Sequence, residues 1–416
     1  MEIVKINNRV NLLKKNIDKF KTFTIGVLFH GNLNKEEYSL NALLPYVLKQ
    51  GSMNYPDMKI MYNKLEELYG GTFECDLRKK GEDHIISFEF EFVSPEYIKD
   101  NENYYNEVLD FIFDVVFNPY VKNNEFDKEY VKTEKNNLID YISGIANDKK
   151  EYASLRCVEE MCKGDNYALF RYGSKDDICN IDGKKLYSHY KKLLKEKRID
   201  FFVVGTVDEN EIIKRIEKLS LEDNEVKYPE TELKIKSNSV KEIREKFDVA
   251  QGKISLGFTT GIKFDNEKKY ALSVFNSLYG SGAHSKLFNN VREKLSLCYY
   301  AYSRIDSFKG IMTVNSGVEF KNFKKAYDEI LQQLEEVKCG NFTDEEILFS
   351  KNSLINSLNS INDNPFSIAD YYLRNLITND NISISEYIDK IKKVTREEII
   401  EVAGNINLDT VYYLEA

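Results

Sequence analysis

One order of hydrophobic patterns runs twice through this 416-residue chain, and a repeat of that length constrains the fold more than any local motif. Phe23–Gly31 (FTIGVLFHG) reads as a strand, and so does Lys253–Gly261 (KISLGFTTG). Helices follow in both places. Leu40, Leu43, Leu44, Val47 and Leu48 fall at helical spacing, and Met58, Met61, Tyr62, Leu65, Leu68 and Tyr69 do so again before Gly70 and Gly71 end the run. The second copy has Ala271, Val274, Phe275 and Leu278, then Leu287, Phe288, Val291 and Leu295. Next come two strands. Phe73, Cys75 and Leu77 alternate with polar residues, and Ile86, Phe88, Phe90 and Phe92 alternate with Ser87, Glu89 and Glu91, which predicts one core face and one wet face. Cys298–Ser303 and Ile311–Val318 are their counterparts. Two long helical segments, a helix and a last strand, Asp200–Val207 or Asp409–Ala416, complete each copy. Capping boxes at Thr343 with Glu346 and Thr395 with Glu398 mark two helix starts in the second copy.

The expected fold class is therefore α+β, two tandem homologous domains, each a mainly antiparallel sheet with helices packed on one side. Residues 1–220 form the first, residues 243–416 the second, and the least apolar stretch, Leu221–Glu242, is the expected linker. A duplication of this kind is expected to leave a cleft between the halves.

Composition removes several function classes. With 42% hydrophobic and 13% aromatic residues the chain has material for a large core, and 59 basic against 68 acidic side chains offer a nucleic acid no general attraction. No apolar run approaches the ~18 residues of a membrane span, and the opening MEIVKINNRVNLL lacks a secretory pattern, so a cytoplasmic protein is expected. The six cysteines are scattered, and Cys157 with Cys162 lacks a second pair to complete a metal set. The turn Tyr279–Ser285 lacks the ending of a phosphate-binding loop, and Lys191–Lys197 reads as a helix exterior. Four histidines, His30, His84, His189 and His284, lie more than fifty residues apart, so no helix presents two imidazoles one turn apart. No serine or cysteine has a recognisable nucleophile motif, which disfavours a self-sufficient hydrolase.

The tandem order and the segment Ser281–Ser303 (SGAHSKLFNNVREKLSLCYYAYS) resemble the pitrilysin/insulinase family of inverted-zincin metallopeptidases over nearly the whole chain. The segment is similar to the family's glycine-rich turn, helix, and Arg and Tyr seven positions apart, here Arg292 and Tyr299. Active members carry His-x-x-Glu-His on a first-half helix and a distant Glu, which hold zinc while the inner Glu activates water. Aligned on Gly51, the two histidines fall on Ala42 and Tyr46 and the base on Pro45; the distant ligand, seven positions after Glu134, falls on Tyr141. The resemblance thus implies no bound metal, no cofactor and no peptidase activity for this chain alone. Pro45 is expected to kink its helix.

Phe20–Leu33, Ser39–Lys59, Leu65–Phe73 and His284–Ser303 further resemble bacterial members associated with the aminopentanol modification of elongation factor P, where a degenerate subunit accompanies a paralogue that keeps the zinc motif. Family members cleave peptides held extended, with the Arg and Tyr approaching from the opposite half. The leading expectation is an inactive subunit of a heteromeric zinc peptidase, which holds a peptide or small protein and lends Arg292 and Tyr299 to the paralogue's site. The alternative is a peptide-binding or scaffold homodimer without hydrolysis. Read locally, Arg292 in VREKL is also a solvated helix face, and Tyr299 in CYYAYS competes with Tyr300 and Tyr302 as strand packing. His284 is a helix-start residue or a substrate contact.

Overall fold

The structure, a computed structural model, describes residues 1–416 and divides into two compact units. Unit 1 comprises Met1–Ile142, Leu169–Glu230 and Asn364–Arg374; unit 2 comprises Ser143–Ala168, Thr231–Asp363 and Asn375–Ala416. Each unit thus takes one segment from the other half of the chain.

Unit 1 is built on β1 (Glu2–Lys5), β2 (Val10–Lys15), β3 (Thr22–Asn32), β4 (Thr72–Lys80) and β5 (Asp83–Val93). After a small hairpin of β6 (Val121–Lys122) and β7 (Glu125–Phe126), β8 (Ile199–Val204) enters the same sheet, in the order β1-β2-β8-β3-β5-β4. All pairs are antiparallel except β2 with β8. Phe73 and Phe90 are directly opposed across β4 and β5, and their rings stack with centroids 4.6 Å apart. The helices Tyr38–Lys49 and Tyr104–Phe117 add Leu43, Leu44, Val47, Phe111, Ile112 and Val115 to this core. Pro45 does not break its helix, which runs without interruption to Lys49.

The other face of β5 is not wet throughout, contrary to its alternation. Ser87 is fully buried and gives its hydroxyl to the Asp76 carbonyl, 3.1 Å away. Arg78 pairs with Glu89 and also reaches Asp370 at 3.0 Å, while Lys80 reaches Asp370 at 2.9 Å. Asp370 lies on the helix Pro365–Thr378, most of which belongs to unit 1. A period of two says that a strand has a polar face; it does not say what a segment nearly three hundred residues away lays over it.

Unit 2 contains β9 (Lys241–Lys246), β10 (Gly252–Thr259), β11 (Cys298–Asp306), β12 (Ile311–Val318) and β13 (Asn407–Glu415), ordered β11-β12-β10-β13-β9. That order is the β4-β5-β3-β8-β2 order of unit 1 with each strand replaced by its counterpart, and the single parallel pair, β13 with β9, recurs in the same place. The helix Lys149–Met161, from the first half of the chain, packs across β10, β12 and β13. A Cβ on Gly257 would sit 2.8 Å from Met161 Sδ, so glycine is what lets helix and strand approach. Glu245 on β9 accepts hydrogen bonds from the Tyr152 and Tyr412 hydroxyls, each at 2.6 Å, and Arg156 Nε lies 3.3 Å away; together they fasten that helix to the sheet. No helix is long and apolar enough to cross a membrane.

Candidate functional site

The four positions that the resemblance assigns to zinc chemistry all lie in unit 1. Ala42 and Pro45 are buried on the helix Tyr38–Lys49, and Tyr46 on the same helix is half-buried. Tyr141 projects from the helix Lys128–Ile145 with 51% of its surface exposed, its ring 4.8 Å from that of Tyr172 in an edge-to-face arrangement. The Tyr172 hydroxyl donates to Asp76 Oδ1 at 3.3 Å. Burial, reinforced by Tyr172, Asp76, Cys75 and Tyr141, pushes the Tyr46 phenol far above its usual range, so it stays protonated at any physiological pH. A methyl group, a pyrrolidine ring and two phenol side chains do not match the imidazole, thiolate and carboxylate donors that zinc takes. Glu134, two turns before Tyr141, accepts hydrogen bonds from Gln50 Nε2 at 2.6 Å and Asn137 Nδ2 at 3.2 Å. The donor set does not fit a zinc ion, and no group of three His, Cys, Asp or Glu side chains anywhere in the fold is arranged to hold one.

Three of the four histidines form buried polar networks whose members lie far apart in the chain. Asn41, beside Ala42, takes His189 Nε2 on its Oδ1 at 2.7 Å and places its Nδ2 3.3 Å from His84 Nδ1; His84 Nε2 lies 2.8 Å from the Arg171 carbonyl. One assignment satisfies all three contacts: both imidazoles neutral, each with its proton on Nε2. Burial, the largest influence on both, holds His84 and His189 down to about 4. His30 on β3 sits between Asp83 (Nδ1 to Oδ2, 2.7 Å) and Asp200 (Nε2 to Oδ2, 3.1 Å), and the Tyr228 hydroxyl donates to Asp200 at 2.5 Å. Adjacent strands bring these residues together: His30 and Asp83 lie on β3 and β5, Asp200 on β8. Only the pairing register would have revealed it.

Arg292, Tyr299 and His284 lie in unit 2. The run Leu287–Lys294 is a π-helix and not the α-helix its spacing predicts, with Leu295 N–H donating to the Asn290 carbonyl at 3.2 Å. Ser296 then turns the chain through a left-handed conformation, φ 48°, into β11. Arg292 lies over the Phe288 ring, 4.6 Å from its centroid, and its ion pair is a 3.5 Å contact with adjacent Glu293. Between Cys298 and Ala301 the register of β11 against β12 shifts, and Tyr299 at this irregularity is 72% exposed. Tyr300 and Tyr302 instead pack under the Lys150 ammonium, 4.9 and 4.5 Å from their centroids. The bulge therefore distinguishes three tyrosines that alternation alone left equivalent. His284 is half-buried after Gly282, which has a φ of 135°, and its Nε2 lies 3.1 Å from Ser277 Oγ. That pair is not a nucleophile and base: Ser277 is 1% exposed and gives its proton to the Ser350 carbonyl at 3.2 Å.

Residues 180–354 match the family model described as "Peptidase M16 inactive domain". The chain is 36% identical over 399 residues to "Probable inactive metalloprotease YmfF" of Bacillus subtilis (strain 168), a match covering 96% of this chain and 94% of that protein. Among solved structures, it is similar to a conserved protein from Enterococcus faecalis V583, with a TM-score of 0.93, 31% identity, and 100% and 98% of the two chains covered. A peptidase M16 inactive domain from Pseudomonas fluorescens shares the fold at a TM-score of 0.81 and 16% identity, covering 100% of this chain and 98% of that one.

Proposed function

The chain belongs to the M16 (pitrilysin/insulinase) peptidase family as an inactive metalloprotease homologue, and from that premise we propose that it is the non-catalytic subunit of a heteromeric zinc peptidase. The observation that carries this reading is a contrast between the units. In unit 1 every group for metal chemistry is replaced, while in unit 2 Arg292 and Tyr299 stay exposed. Arginine holds backbone carbonyl oxygens through its fork of N–H donors, and a tyrosine hydroxyl donates to the oxyanion that forms when a peptide carbonyl is attacked. Neither role needs a metal ligand on the same chain. The paralogue supplies the zinc motif, and this chain holds the peptide or small protein and completes the site in trans. We place the reaction in the cytoplasm, in the aminopentanol modification of elongation factor P; the support is the likeness of four segments to members associated with that pathway.

Co-expression with a paralogue bearing His-x-x-Glu-His tests the reading. A mixed complex should form and cleave model peptides, and Tyr299→Phe should lower kcat about a hundred-fold, the cost of one oxyanion donor, with zinc content unchanged. Undiminished turnover in both Tyr299→Phe and Arg292→Ala would refute it. Peptide binding by a self-associated chain that ignores the paralogue would favour the scaffold instead.

A further inference from the structure

We propose that unit 1 has replaced its lost metal position with an aromatic cage for a cation, and that the cage takes the ammonium group of a lysine side chain on a bound peptide. This deepens the peptide-holding reading above and needs only residues of unit 1. Tyr141 and Tyr172 meet there edge to face at 4.8 Å, and Tyr46, whose phenol is raised mainly by burial, is near enough to both for them to add to that shift. Ring faces carry the negative end of the π quadrupole and attract cations. A carboxylate stands at the same place: Asp76 takes the Tyr172 hydroxyl at 3.3 Å and has no basic side chain as an ion-pair partner.

A second observation points to a cation. Arg171 already holds its guanidinium 4.8 Å from the centroid of the Tyr172 ring, without an acidic partner of its own. The chain thus supplies a cation to one ring of the cage, while 51% of Tyr141 stays open to solvent. Lysine suits these groups: its four-carbon stem lies along aromatic surface and its compact ammonium reaches the Asp76 carboxylate. Burial keeps the Tyr46 and Tyr172 phenols neutral, so attraction comes from the ring faces and Asp76.

The test uses the isolated full-length chain with two acetylated, amidated pentapeptides that differ only in a central lysine or norleucine, titrated calorimetrically at low salt. The lysine peptide should bind about three-fold to thirty-fold more tightly, the range of one cation–π contact. Tyr141→Leu, at a half-exposed position that leaves the fold intact by circular dichroism, and Asp76→Asn should each erase that preference. Arg171→Ala should strengthen lysine-peptide binding and leave the norleucine peptide unchanged. Equal affinities, no binding of either peptide, or a preference that survives Tyr141→Leu would overturn the proposal. Because no paralogue is present, these results are independent of turnover in the mixed complex.

Discussion

Burial holds two buried histidines of unit 1 neutral and carboxylates hold the third charged, and this has a measurable consequence. Burial works against charge on His30, but the carboxylates of Asp83 and Asp200 outweigh it and raise the imidazole to about 9. Asp83 is itself pushed up by burial and drawn back down by His30. In the unfolded chain a histidine titrates near 6.5, so stability from His30 is complete below that pH and is lost as pH rises through about 9. His84 and His189, held at about 4, act with the opposite sign: the unfolded chain gains protons that the folded one refuses, and stability falls as pH drops from about 6.5 toward 4. Each shift is worth about 3 kcal/mol over its full range. The melting temperature of unit 1 should therefore peak near neutrality and fall on both sides, and His30→Gln should remove the alkaline limb. A calorimetric profile that is flat from about pH 5 to about pH 9 would contradict this account. At the same scale the sequence was least informative about the site itself. Arg292 and Tyr299 were picked out by likeness, and what separates Tyr299 from Tyr300 and Tyr302 is a register shift that no pattern of residue types encodes.

Elements defined by contacts three or four residues apart were legible, and those defined by distant partners were not. The strands expected at Phe23–Gly31 and Ile311–Val318 are present, and both are buried along their whole length. Both expected capping boxes are present: Thr395 N–H donates to Glu398 Oε2 at 2.7 Å and Glu398 N–H to Thr395 Oγ1 at 3.3 Å. A third, Ser383 with Glu386, starts the helix Ile384–Lys393. Thr395→Ala should cost about 1 kcal/mol and lower the urea midpoint of unit 2, and restoring Ser at this position should recover most of it. The strands β2 and β9 went unread because each is short and mixes charged residues into its alternation; they exist because β8 and β13 offer them a parallel edge. The π-helix was equally hidden. Its apolar residues still fall on one side, and only the hydrogen-bond step reveals the wider turn.

Across the whole molecule, the dominant feature is the exchange of equivalent helices. Lys149–Met161 completes unit 2 and the start of Pro365–Thr378 completes unit 1, so a cut in the stretch between β8 and β9 leaves neither fragment with its own covering helix. Fragments 1–230 and 231–416, expressed separately, should show expanded profiles by size-exclusion chromatography and reduced helicity, whereas co-expression should recover a soluble pair with the far-ultraviolet spectrum of the intact protein. Independent folding of either fragment would show that the exchanged helices are dispensable. The same connectivity sets a timetable during synthesis. β8 ends at Val204 and the helical segment that shields its sheet reaches only to Arg374, so at ribosomal speeds of about 5–20 residues per second the nascent sheet waits roughly 10–30 s with one surface unprotected. That interval is when a chaperone, or a second nascent copy offering the same helix, competes for the vacancy.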